Sequence, residues 1–211
     1  MGKRAVDGAA KVTTRRLEVL VDGIFAIVMT LLVLSIEIPQ LTDPLSNTML
    51  LQSLGELLPR FQSYGLAFVL LAIFWKGTHW QFHCLKRTDA GILVINVWWL
   101  MLVALVPFST SLVGKYGDLE IAAIFFHGNL LAAGLLKYWH WSYAARRGLI
   151  EDSVSPHEIM IVKRKVLVLP VVCTLALIVS IGTPNWSPMV YIAIPFVHRL
   201  FLRRNHSSGK T

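Results

Sequence analysis

From Ala90 to Gly114 the chain carries no Asp, Glu, Lys or Arg. A bilayer core of roughly 30 Å is crossed by a helix of about 20 mostly apolar residues. In lipid every backbone amide must find its partner inside the protein, so a run of this kind folds as a helix. The composition generalises the point. Of the 211 residues, 55% are hydrophobic and only 15% are charged, against about 25% charged in ordinary soluble domains. That deficit argues against a disordered chain and against a soluble enzyme with a normally solvated surface. It fits an all-α, polytopic membrane protein.

Six spans are expected. They run from about Arg16 to Ile38, stopping at Pro39; from Asn47 or Glu56 to Cys84; from Asp89 to Gly114; from Leu119 to Arg146; from Pro156 or Val162 to Ile181; and from Ser187 to Leu202. The last is the shortest. An even number of spans puts both termini on one side, and the distribution of Lys and Arg says which. Sixteen of the 20 fall on one side, from Lys3, Arg4, Lys11, Arg15 and Arg16 to Arg203, Arg204 and Lys210. Lys115 alone falls opposite, and Arg60, Lys76 and Lys137 lie within spans. Both termini are therefore expected in the cytosol. The opposite loops carry Glu37, Asp43, Asp118 and Glu120, which would concentrate cations at a mouth there.

The net charge of +8 invites a nucleic-acid reading, but the basic residues gather between apolar runs and form no stripe. No nucleic acid is expected as a partner. Cys84 and Cys173 sit in or at the end of apolar segments and make neither a CxxC pair nor a disulfide framework. Gly209-Lys210-Thr211 lacks the glycine a phosphate-binding loop needs where Arg204 stands. His79 and His83 share a helix face, but no third ligand has the spacing for a metal. Gly114-Lys115-Tyr116-Gly117 resembles a carbonyl filter only faintly, with a lysine inside the stretch, and reads as a loop. No catalytic machinery is visible, so neither an enzyme nor a cofactor is expected.

The first span holds the most unusual placement. Asp22 lies six residues inside Arg16, about 9 Å deeper. A carboxylate at that depth is expensive unless paired or wet, and marks a functional site by default. Counting residues puts His79, and Asn96 of the third span, at a similar depth, with Trp75 and Lys76 about one turn beyond His79. Asp22, His79 and Asn96 are expected to form one buried polar cluster. Along the same helix Gly23, Ile27, Thr30, Leu31, Leu34 and Ile38 fall on one stripe. The rest of the helix is equally apolar, so periodicity leaves open whether that stripe meets lipid, a neighbouring helix or a pore.

These features together resemble the prokaryotic branch of the endosomal and lysosomal potassium channel family. Its signature on the first helix is Arg-x-x-x-Phe-Ser-Asp, followed by Phe-Ala-Ile and Leu-Leu-Val-Leu. This chain has Arg16, then Leu20-Val21-Asp22-Gly23, Phe25-Ala26-Ile27 and Leu31-Leu32-Val33-Leu34. Trp75-x-x-x-His79-x-x-Phe82 resembles the second helix, Asn96 with Pro107-Phe108-Ser109-Thr110 the third, and Asn129-Leu130 with Trp139 the fourth. The match spans Arg16 to Trp141; the last two spans agree only as hydrophobic segments.

The resemblance implies a homotetramer in the plasma membrane, with first helices around a central pore. It implies a ring of bulky apolar side chains as the constriction: Ile27 first, then Leu31 and Leu34, with Thr30 a polar position between them. Potassium, and with it other monovalent cations, would be the permeant ion. The signature aspartate would organise helices one to three, in company with Arg16, Trp75, His79 and Asn96, and would not touch the ion. The chain would divide into a basic cytosolic tail (1–15), one six-helix channel domain (16–204) and a short cytosolic tail (205–211). Two departures stand out. Leu20-Val21 replaces Phe-Ser, removing a hydroxyl from the polar cluster, and Ser35 stands where the family often has an acid. Two other readings stay open at this point: a proton-coupled transporter with Asp22, His79 and Lys76 as its relay, and a non-conducting membrane scaffold.

Overall fold

A computed structural model describes residues 2–40 and 46–203; Met1, Asp43, Arg204 and the expected tail at 205–211 lie outside the described residues. Within them the regular elements are helical: α1 (Gly2–Leu31) with a 3-10 turn (Leu32–Ser35), α2 (Asn47–Glu56), α3 (Leu58–His83), α4 (Ala90–Ala104), α5 (Val106–Tyr116), α6 (Glu120–Arg146), α7 (Pro156–Ser180), a 3-10 segment (Pro184–Ala193) and α8 (Ile194–Arg203).

Four stretches of the described residues are long and apolar enough to cross a membrane: Thr14–Ser35, Leu58–His83, Ala90–Tyr116 and Glu120–Arg146. The expected boundaries shift in three places. The first helix closes at Ser35, short of Pro39; Ser35 Oγ donates to the Leu32 carbonyl (2.7 Å) and the chain turns extended at Ile36. The second stretch is two helices, because it breaks at Leu57, just ahead of Pro59. The third kinks at Leu105, since Pro107 has no N–H to give to Val103 and its ring crowds that turn. In α7 the charge-free run starts only after Lys163, Arg164 and Lys165. The expected sixth span is not one helix: the 3-10 segment precedes α8, whose ten residues reach about 15 Å.

The helix ends explain the loops at the basic end. Asp89 caps α4 by accepting from the Ile92 N–H (2.9 Å) and also accepts from the Tyr143 hydroxyl (3.0 Å). That hydroxyl lies where a Cβ on residue 91 would stand, so Gly91 is what lets the Tyr143 ring reach Asp89. Gly148, at φ +63°, ends α6 in the left-handed region. The chain then pairs back on the end of α3, the Lys86 N–H donating to Leu149 O and the Glu151 N–H to Cys84 O. Ser155 and Glu158 form a capping box on α7, and the two Ser155 donors hold the exposed Glu158 carboxyl below the usual carboxylate range.

α6 is the centre of the bundle, packed against α4, α5 and α7. Gly134 on α6 allows the Pro170 ring of α7 to approach to the distance where a Cβ would be tight, 3.0 Å. At the opposite end α6 holds the 3-10 segment through His127. Ser187 Oγ donates to the Pro184 carbonyl (2.7 Å), so it accepts from His127 Nε2–H (2.8 Å). His127 Nδ1 is then left to accept from the Tyr191 hydroxyl (3.0 Å). All three side chains are buried. His127→Ala strips both partners at once and should cost roughly 1–3 kcal/mol. The expected readout is a lower unfolding midpoint of the purified protein, with faster proteolysis within 184–193; an unchanged midpoint would contradict the anchor.

Candidate functional site

α1 is apolar on two faces, and they have different fates. Leu17, Val21, Phe25, Val28 and Leu32 recur at steps of three and four and are all buried. They pack on α3, α4 and α5; the Phe25 ring lies 5.5 Å from Trp99, which in turn meets Phe74 at 6.0 Å. The opposite stripe is uncovered. Ile27 is 59% exposed, Leu34 71%, and Gly23, Thr30, Leu31 and Ile38 are exposed with them. Along this stripe Thr30 supplies a hydroxyl. It donates to the Ile27 carbonyl (2.7 Å), so only its oxygen lone pairs face outward.

Between these faces α1 carries a polar seam against α3. Glu18 and Asp22 are one turn apart on α1, and Trp75 and His79 one turn apart on α3. The helices run antiparallel, so the pairs match. Trp75 Nε1–H donates to Asp22 Oδ1 at 2.9 Å, and His79 Nδ1 lies 3.2 Å from Glu18 Oε1. The Trp75 and His79 rings lie 6.2 Å apart. Asp22 therefore does have a partner at its depth.

The expected single buried cluster, however, is not formed. Asp22 and His79 are exposed in the subunit and bind separate partners, and Arg16 is exposed. Asn96 is buried on α4, and neither its Oδ1 nor its Nδ2 has a partner among the described residues. The reason is rotation. Asn96 lies three residues before Trp99, on the helix facing the buried side of α1, whereas Asp22 is turned towards α3. Val21, four residues before Phe25, shares the Asn96 level. It stands where the signature has serine and offers no hydroxyl. Glu18 is the member of the seam that sequence reasoning did not single out; its spacing of four from Asp22 was the available signal.

Among the described residues no group of three or more metal-ligating side chains converges. Ile27, Leu31 and Leu34 carry no titratable group, so the α1 stripe performs no acid–base chemistry there. What it can do is form one side of an apolar wall. At the end opposite the basic loops, Glu37 lies 3.4 Å from Arg60 and 3.9 Å from Lys115, so acids and bases share the mouth of that wall.

Residues 16–107 match the family model for the endosomal/lysosomal potassium channel TMEM175. A potassium channel of Chamaesiphon minutus is 32% identical over 158 residues, which cover 73% of this chain and 77% of the relative. A potassium channel of Streptomyces collinus is 30% identical over 141 residues, covering 65% of this chain and 67% of the relative. The crystal structure of a lysosomal potassium-selective channel TMEM175 homolog from Chamaesiphon minutus superposes with a TM-score of 0.78 at 28% identity, over 90% of this chain and 98% of that one.

The seam makes a quantitative prediction. In a double-mutant cycle of Asp22→Ala and Trp75→Phe, the coupling should be about 1 kcal/mol, the net worth of one hydrogen bond. It is read from unfolding of the purified protein; strictly additive effects would mean that the two side chains act independently.

Proposed function

This chain belongs to the endosomal/lysosomal potassium channel TMEM175 family, and from that premise we propose that it is a potassium-permeable cation channel of the plasma membrane. Four subunits assemble with their α1 helices around a central pore. Each subunit contributes six spans, α7 and the last segment completing the four long apolar stretches, and both termini lie in the cytosol. The single observation that carries this reading is the two-faced α1. One apolar face is consumed by the subunit's own bundle, and the other is left free at Ile27, Thr30, Leu31 and Leu34.

The mechanism follows from what such a wall lacks. A ring of Ile27 side chains offers no oxygen to replace an ion's water. An ion passing it must shed water without compensation, and potassium holds its water less tightly than sodium. The ring thus sets a dehydration threshold that favours potassium, and a small rotation of α1 opens or dewets it. Thr30 supplies an acceptor oxygen one turn beyond. Asp22 stays on the seam to α3, off the ion path, and positions α1.

The carrier reading would route protons through Asp22 and His79. These bind Trp75 and Glu18 and form no contact with each other that would pass a proton along.

Ile27→Asn places an amide in the ring. A stabilisation of the dehydrated ion by about 1.4 kcal/mol corresponds to a tenfold rate increase. Potassium flux into proteoliposomes should therefore rise about tenfold while the preference over sodium falls towards unity. Unchanged permeability ratios would remove Ile27 from the constriction.

A further inference from the structure

A groove of about 480 Å³ lies between α3 and α7, with α6 as its floor and no residue of α1 in its lining. Three lysines line it, one from each helix: Lys76, Lys137 and Lys165, with no carboxylate among the lining residues. Their positions along the helices agree. Lys76 lies seven residues before the end of α3, Lys137 nine before the end of α6, and Lys165 nine after the start of α7. All three are thus about 10–14 Å from the basic end of the bundle. Lys76 and Lys165 are exposed. Lys137 is only 4% exposed, and its Nζ has no hydrogen-bond partner among the described residues. Its ammonium rests against aromatic faces, 4.2 Å from the Trp99 centroid and 5.6 Å from that of Phe82. Cation–π contact replaces part of the lost hydration and supplies no acceptor for the N–H groups.

One turn deeper into the bundle, each of these helices presents an apolar or side-chain-free position to the groove: Ile73 on α3, Gly134 on α6 and Leu169 on α7. The groove is therefore cationic at one level and apolar beyond it. That polarity matches an amphiphile lying parallel to the helices. A soluble anion would leave the deeper half unfilled.

We propose that this groove binds an anionic membrane lipid from the leaflet at the basic end, its phosphate at the level of Lys76, Lys137 and Lys165 and an acyl chain along Ile73 and Leu169. Basic clefts between spans on the cytosolic side suit such headgroups. Lys76 and Lys165, both exposed, meet the phosphate directly, and Lys137, its Nζ shielded behind them against Trp99, adds positive charge from the floor of the groove. Gly77 leaves room beside Lys76 at the headgroup level, since a Cβ there would meet nothing within 4 Å.

Native mass spectrometry of the full chain, released from detergent, tests this with dioleoyl phosphatidylglycerol, dioleoyl phosphatidylcholine and inorganic phosphate as separate probes. Phosphatidylglycerol should be retained about tenfold more tightly than phosphatidylcholine, and inorganic phosphate should not be retained. The Lys76→Gln/Lys165→Gln variant changes two exposed residues. It should weaken phosphatidylglycerol binding about thirtyfold, as expected for two lysines beside an anionic headgroup. Gly77→Leu keeps every charge and should reduce retention by filling the groove. Equal retention of both lipids, or unchanged retention in both variants, would overturn the proposal. Retention of inorganic phosphate alone would make this an anion site without a lipid. A changed subunit stoichiometry in Lys76→Gln/Lys165→Gln would assign the groove to a neighbouring copy of the chain.

Discussion

Leu17, Val21, Phe25, Val28 and Leu32 lock α1 against α3, α4 and α5, and this fixes the rotation of α1 in the subunit. In lipid, burial of apolar surface gives little driving force, because the alternative surroundings are apolar too; close packing and interhelical hydrogen bonds decide. The Phe25–Trp99–Phe74 ring contacts supply the packing, and the Trp75–Asp22 and His79–Glu18 pairs supply the polar seam. With α1 held on two sides, its remaining face is set. Ile27, Thr30, Leu31 and Leu34 point away from the subunit whatever they meet there.

The same logic separates the two kinds of intramembrane charge. Asp22 is short and reaches a tryptophan N–H at the bundle edge, which makes it a fastening between helices. Lys137 lies inside, beside aromatic rings, on the helix that organises the bundle. A fastening needs only its partner. The Lys137 ammonium has aromatic neighbours and no hydrogen-bond acceptor among the described residues, so its charge bears on the groove beside it.

Depth was legible in the sequence, because counting residues along a helix at 1.5 Å each needs no tertiary knowledge. Counting brings Asp22 to within one turn of its partner: it points to the level of His79, and the structure pairs Asp22 with Trp75 and His79 with Glu18. Rotation was not legible. A helix apolar all round gives periodicity nothing to choose between, so Asn96 was grouped with Asp22 although it faces the other side of α1. The charge-free run from Ala90 marked one span, and its kink at Leu105 is explained by Pro107 only once the helix is known to continue. Lys137 was visible as a charge within a span, but its burial depends on Trp99 and Phe82 arriving from other helices. The last segment is hard to read from the sequence for a physical reason: it is held by His127, Ser187 and Tyr191, and side-chain hydrogen bonds leave no periodic trace.

The central claim is that ions pass along the outward face of α1. It is tested most directly by thiol block of potassium current in planar bilayers. Leu34→Cys on that face and Val28→Cys on the buried face are compared in a background whose own cysteines, Cys84 and Cys173, are buried. A charged methanethiosulfonate reagent should extinguish current through Leu34→Cys and leave Val28→Cys untouched. Full current through treated Leu34→Cys, or equal block of both, would contradict a pore lined by this face.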